Sequence, residues 1–156
     1  MLSLVRSSID FIEIEEVIVN SNTFFNLISK NKEKFTTEEI AEEITNTKNI
    51  GAERFLVKDN NEFVGILEYL LFNPNDQSTW LGLLLIKKKF QNQGYGLKSL
   101  QLFNELMKEK GIAKYRIGVI SENTPAHHFW NKNGFVKIDS TINDDQKEII
   151  IYEKNI

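Results

Sequence analysis

Between Ile86 and Leu97 the apolar residues of this chain change their spacing from two to about 3.6, across a pair of glycines set two apart. Thr79–Ile86 reads as a strand. Gly94 and Gly96 follow, and Leu97, Leu100, Phe103, Leu106 and Met107 then line one face of a helix reaching about Lys110, with Gly111 as its stop. Tyr115–Ile120 returns to the strand pattern, with Tyr115, Ile117 and Val119 on one side. A strand, a glycine turn, a helix and a strand in immediate succession fit together as a crossover between two parallel strands, and such crossovers are right-handed.

Antiparallel structure surrounds that unit. Arg54–Lys58, Glu62–Phe72 and Thr79–Ile86 are separated by Asp59-Asn60-Asn61 and by Asn73-Pro74-Asn75-Asp76, both of them turn chemistry. From Phe63 to Phe72 both faces of the strand are apolar, which predicts a central strand covered on both sides; Glu68 is its one charge. Upstream, the pattern predicts an opening strand around Ile9–Ile14 and a helix over Thr23–Lys30. A second helix over about 37–47 starts from a capping box at Thr36-Thr37-Glu38-Glu39. Downstream, Pro125 opens a helix that Gly134 stops, and Phe135–Asp139 with Lys147–Glu153 closes the sheet as a hairpin. No repeat or Pro/Ser-rich linker divides the 156 residues, so a single domain over 1–156 is expected.

Composition removes whole classes of chemistry. With no cysteine there is no disulfide, thiolate metal site or cysteine nucleophile, and two adjacent histidines, His127 and His128, make a poor start for a metal centre. No metal is expected. A net charge of −3 argues against nucleic acid as a partner. No apolar run reaches the roughly 18 residues of a membrane span, and Met1–Asp10 lacks the profile of a signal peptide, so the expected location is cytoplasmic. The charge is uneven: the first third is acidic, whereas Lys87, Lys88, Lys89 and Lys98 crowd the glycine turn.

That turn is the place where the sequence speaks of chemistry. A helix start leaves backbone amides unpaired, and glycines let a ligand come close to them. Successive amides in such a turn form an anion-binding concavity, and the lysines add positive charge. A phosphate or pyrophosphate suits it. The dinucleotide fingerprint would need glycine where Ser99 stands, and no Gly-Lys-Ser/Thr closes a P-loop. On the glycines alone, an ordinary tight turn remains the other reading.

A second motif decides between them. Gln91-Asn92-Gln93-Gly94-Tyr95-Gly96 matches the pattern (Arg/Gln)-x-x-Gly-x-(Gly/Ala). About 30 residues on, Asn123-Thr124-Pro125-Ala126-His127-His128-Phe129-Trp130-Asn131-Lys132-Asn133-Gly134-Phe135 sets an Asn, an Ala, an aromatic pair and Lys-x-Gly-Phe in order. Together these resemble the GNAT superfamily of acyl-CoA-dependent N-acyltransferases. The resemblance implies an α+β fold: a mixed, mostly antiparallel sheet of about six or seven strands, a central splayed parallel pair, and about four helices on both faces. It implies acetyl-CoA as co-substrate, with its pantetheine arm against the backbone of Leu84, Leu85 and Ile86 in the splay. The pyrophosphate would lie on the turn of Gln91, Asn92, Gln93, Gly94, Tyr95, Gly96, Leu97 and Lys98, and Asn123 would contact pantetheine. Trp130 stands where many members carry a tyrosine that protonates the leaving thiolate. Indole cannot do this, which leaves Trp130 as a wall of the cofactor site.

The acceptor implied is a primary amine of a small molecule or peptide. An amine like that of lysine is unprotonated in roughly one molecule per thousand at neutral pH, so a base is needed. Glu68 is the candidate, a lone carboxylate on an apolar strand; its other reading is a hydrated or lysine-paired rim residue. His127, His128 and Glu122 are weaker candidates, and Phe24 and Phe25 are candidate pocket walls. The missing tyrosine also admits a non-catalytic CoA-binding module. The Ile149-Ile150-Ile151 run in the final hairpin offers an edge for a homodimer.

Overall fold

The computed structural model describes Met1–Ile156. Its strands are β1 (Leu2–Arg6), β2 (Glu53–Asp59), β3 (Glu62–Leu70), β4 (Trp80–Ile86), β5 (Lys114–Ile120), β6 (Val136–Ile142) and β7 (Glu148–Asn155). Its helices are α1 (Ile12–Asn20), α2 (Thr23–Lys30), α3 (Thr37–Asn49), α4 (Tyr95–Glu109) and α5 (Thr124–Lys132). The strands form one sheet in the order β1-β2-β3-β4-β5-β7-β6, antiparallel throughout except for β4 and β5. The parallel pair is the expected crossover, with α4 between its strands.

Helix α4 turns Leu100, Phe103 and Met107 inward, where they meet Val57, Leu67, Tyr69, Leu81 and Tyr115. Fully burying a side chain of this size contributes about 1.5–3 kcal/mol, so this row fixes the helix to the sheet. Gly111, at φ +75°, ends it: its amide bonds the carbonyl of Lys108 at 3.0 Å and the next amide reaches Met107 at 2.9 Å, a Schellman close that favours glycine. The opposite face is covered by α1, whose Ile18 packs on Leu56, Ile66 and Leu85. Strand β3 is buried from Val64 to Tyr69, as a two-sided apolar pattern requires. Helix α3 starts from the complete Thr36–Glu39 capping box.

One expectation is corrected. Ile9–Ile14 is not a strand: Ile9–Phe11 forms a 3-10 turn and Ile12 begins α1. The alternation of Ile12-Glu13-Ile14-Glu15 imitates a strand, but the edge position beside β2 is taken by Leu2–Arg6. The helix instead stacks Ile14 and Ile18 on one side and turns Glu15 inward, fully buried. Helix α5 also begins one residue earlier than expected, at Thr124 rather than Pro125, and Asn123 caps it: the side-chain Oδ1 of Asn123 accepts from the amide of Ala126. No helix is long and apolar enough to cross a membrane.

Candidate active site

Strands β4 and β5 pair only at Trp80 and Arg116. Beyond that point residues 81–86 of β4 have no partner on the β5 side, so the sheet opens between them. The closed end is held by charge. Arg116 donates to Glu153 at 2.9 Å and to Asp76 at 3.3 Å, and the Trp80 indole donates to the same Asp76 oxygen at 2.8 Å. The hydrogen bond to Glu153 is the main reason the Arg116 guanidinium sits above its ordinary pKa.

The glycine turn stands at the open end. Gly94 has φ +87° and open space where a Cβ would be, whereas a Cβ at Gly96 would meet the Phe129 ring at 3.3 Å. The amides of Asn92, Gln93, Gly94, Tyr95, Gly96 and Leu97 find no acceptor within the protein; the first to do so is Lys98, which bonds the carbonyl of Gly94. Lys87, Lys88, Lys89 and Lys98 form no ion pair. Unpaired amides in sequence beneath free lysines suit a pyrophosphate. Gln91 works from inside: its Nε2 donates to Asn22 at 2.7 Å and to the Ile86 carbonyl at 2.8 Å, so its side-chain donors brace the turn. That carbonyl also accepts from Asn22 at 3.1 Å. Tyr95 turns its hydroxyl to Asp59 at 2.7 Å, tying the start of α4 to β2.

At the open end of β5, Asn123 caps α5. Trp130 is 9% exposed, its ring meeting those of Phe129 and Phe135 at 4.9 Å each. His127 is a brace. Its Nε2 faces the carbonyls of Ile120 and Ser121, which only accept, so Nε2 carries the proton and Nδ1 accepts from the Tyr152 hydroxyl at 2.6 Å. His128 and Glu122 are exposed.

On the other face of β4 lies a cavity of about 380 Å³. Leu83 and Leu85 of β4 wall it, with Phe25 of α2, Phe35, and Thr47 and Glu43 of α3 opposite. Phe25 therefore reaches the cavity, while Phe24 points to solvent, 53% exposed. Gly82 lies at its edge as the extra residue of a bulge, since Glu68 pairs with Leu83 and Tyr69 with Leu81. Ser29 also lines it, its buried hydroxyl without a partner.

Glu68 is on the cavity wall, 7% exposed, and it is not alone. Its Oε2 accepts from Arg54 Nη1 at 2.9 Å and from the Thr47 hydroxyl at 3.0 Å. Arg54 Nε donates to Glu15 Oε1 at 2.7 Å, and Ser7 donates to the other Glu15 oxygen. Burial alone pushes the Arg54 guanidinium down; the two carboxylates outweigh it and hold Arg54 above its ordinary pKa. The formal charges of the triad sum to −1, and all three side chains are buried. Glu15 and Arg54 are the partners of Glu68 that sequence reasoning missed. No local signal marked them, since Glu15 stands among Glu13 and Glu16 and Arg54 follows Glu53, and reading Ile9–Ile14 as a strand hid the partner of Arg54. No group of three or more His, Cys, Asp or Glu side chains is placed to hold a metal ion.

A model of the acetyltransferase (GNAT) family matches residues 17–135. No curated protein matches the chain. Among solved structures, an acetyltransferase from Thermus thermophilus is 22% identical with a TM-score of 0.82, covering 100% of this chain and 97% of its own. The acetyl transferase of Salmonella typhimurium that modifies the N-terminal serine of 50S ribosomal subunit protein L7/L12 is 19% identical, with a TM-score of 0.81 over 99% and 95%. The spermidine N-acetyltransferase from Vibrio cholerae, solved with CoA and spermine, is 16% identical, with a TM-score of 0.74 over 99% and 95%. These three establish a shared fold.

Proposed function

The chain belongs to the acetyltransferase (GNAT) family and is an acetyl-CoA-dependent N-acetyltransferase, and we propose that it passes the acetyl group directly to a primary amine of a small molecule or peptide while both substrates are bound. The observation that carries this reading is the double use of β4. Its free edge borders the opening beside the amide turn, and its Leu83 and Leu85 wall a cavity with a carboxylate in it.

Bound acetyl-CoA supplies the thioester carbon that the amine attacks and the thiolate that leaves. We assign its pyrophosphate to the amides of Asn92, Gln93, Gly94, Tyr95, Gly96 and Leu97, with Lys98 adding charge and Gln91 bracing the turn. The pantetheine arm is assigned to the β4 edge at Leu84, Leu85 and Ile86, facing Asn123 and Trp130. Glu68 is the proposed base: Oε2 is occupied, whereas Oε1 makes no hydrogen bond and is not sealed, so it is left to take the proton of the incoming ammonium. A thiol of pKa about 8.5 leaves without an acid at Trp130. Holding the two reactants side by side can lower the barrier by about 7–11 kcal/mol at best. The Ile149-Ile150-Ile151 run is not an edge, since it lies in β7 and pairs with β5 on one side and β6 on the other. We place a homodimer contact instead on β6, an edge strand exposed along its length with Val136, Ile138 and Ile142 outward, and sedimentation of Ile138→Asp against the parent tests it.

The test is thiol release from acetyl-CoA in the presence of polyamines, aminoglycosides, amino acids and peptides. At least one amine class should accelerate it well above hydrolysis, with an N-acetylated product seen by mass spectrometry. Tight CoA binding without any accelerating amine would leave a CoA-binding module in place of the proposed transferase.

A further inference from the structure

Arg54 has more donors than the protein uses. Nε is given to Glu15 and Nη1 to Glu68, but Nη2 makes no hydrogen bond, and it is not among the polar atoms sealed from solvent. Arg54 and Glu68 both line the cavity, where Glu68 Oε1 is likewise unused. An unspent cationic donor and an unspent anionic acceptor thus belong to two side chains already joined at 2.9 Å. The guanidinium cannot rotate away, because Glu15, itself fully buried, grips its other end.

We propose that Arg54 is a specificity-determining residue, and that with Glu68 it selects acceptors carrying a carbonyl oxygen next to the reacting amine, an α-amino acyl group. The inference rests on the amine-acetylating reading of this cavity. In an α-amino acyl group the ammonium and the carbonyl oxygen are separated by two carbons, so one can meet Oε1 of Glu68 while the other meets Nη2 of Arg54. A simple alkylamine satisfies the carboxylate but offers Nη2 no acceptor, so it forgoes a hydrogen bond to a charged donor. A lysine at position 54 would keep the charge but not the fork that divides three nitrogens among three partners. The walls formed by Phe25, Phe35, Leu83 and Leu85 favour an apolar side chain on the acceptor.

A matched pair tests this: phenylalaninamide and phenethylamine share the ring and the amine and differ in the carbonyl group. Binding to the parent enzyme with CoA present is measured by calorimetry, and kcat/KM with acetyl-CoA is referred to each amine's unprotonated fraction, because an amine beside a carbonyl is the weaker base. The amide should be favoured about tenfold or more in both, the scale of one hydrogen bond to a charged group. A Phe-Ala-Ala peptide as a third arm distinguishes a peptide amino terminus from a free amino acid derivative; preference for either over phenethylamine supports the inference. Arg54→Lys should collapse the ratio toward one, with CoA binding and the thermal transition reporting that the fold persists. Equal binding of the matched pair by the parent overturns the inference without any variant. Turnover of both amines at equal kcat/KM would do the same while leaving the transferase reading intact. Preferential binding of the amide with no turnover would keep the recognition pair and remove this cavity as the place where the amine is acetylated.

Discussion

The two oxygens of Glu68 differ. Oε2 is held by Arg54 and Thr47, and Oε1 makes no hydrogen bond. Glu68→Gln keeps the shape and removes the charge, so it should lower kcat/KM about 10²-fold or more and leave CoA affinity nearly unchanged. Parental kcat/KM on a proven acceptor would remove Glu68 from the mechanism. Trp130 is enclosed by Phe129 and Phe135 and carries no titrating proton, so Trp130→Phe should keep most of kcat; a thousandfold fall at unchanged CoA affinity would contradict that role. Glu68 was legible as the single charge on a two-sided apolar strand. Its partners were not: Arg54 lies 14 residues away and Glu15 lies 39 from Arg54, and only the packing of α1 on β2 and β3 brings them together. A chain read linearly shows that a charge costs free energy, not what offsets it.

Among the elements, the turn before α4 was the most readable, because glycine spacing and the change of period are local. Gly94→Asp should abolish CoA binding in calorimetry, since a side chain at φ +87° is strained and adds a negative charge to the turn assigned to the phosphates. Parental affinity would displace the assignment. The first helix was the least readable, because β-branched alternation fits both periods and the edge beside β2 went to residues further upstream. The Tyr95–Asp59 bond joins α4 to β2 and gives the pair a pH window. That bond, then the terminal ammonium, holds the Asp59 carboxyl below its ordinary pKa, and the same bond raises the Tyr95 hydroxyl. A lowered carboxyl adds stability that is complete above its unfolded pKa and lost as pH falls through the folded one, so the loss belongs below about pH 4. The raised hydroxyl adds stability complete below its unfolded pKa, about 10, and lost as pH rises through the folded one. Solvent screens both, so the expected signal is spectroscopic. In Tyr95→Phe the Asp59 carboxyl resonance should titrate closer to its ordinary value; an unmoved midpoint would assign the shift to the terminal ammonium.

At the scale of the molecule, the sheet has one closed and one open end, and both substrates are assigned to β4. The closed end depends on Asp76, Trp80, Arg116 and Glu153, residues from three separate stretches, which no local pattern announces. The two sides of β4 can be tested separately because of Gly82. It sits in the bulge beside Glu68 and lines the cavity, its φ lies outside the left-handed region, and an added Cβ would meet only the Glu68 carbonyl at 3.7 Å, an ordinary contact. A larger side chain is therefore tolerated by the backbone and takes its room from the cavity. Gly82→Val, β-branched and suited to a strand, should fold with a thermal transition near that of the parent. It should bind CoA as the parent does, since the amide turn lies at the far end of β4. The acceptor should suffer: its KM should rise about tenfold or more, with bulky amines affected most and ammonia-sized ones least. If Gly82→Val leaves kcat/KM unchanged for every acceptor while CoA binding holds, the amine enters by another route and this cavity is not its site.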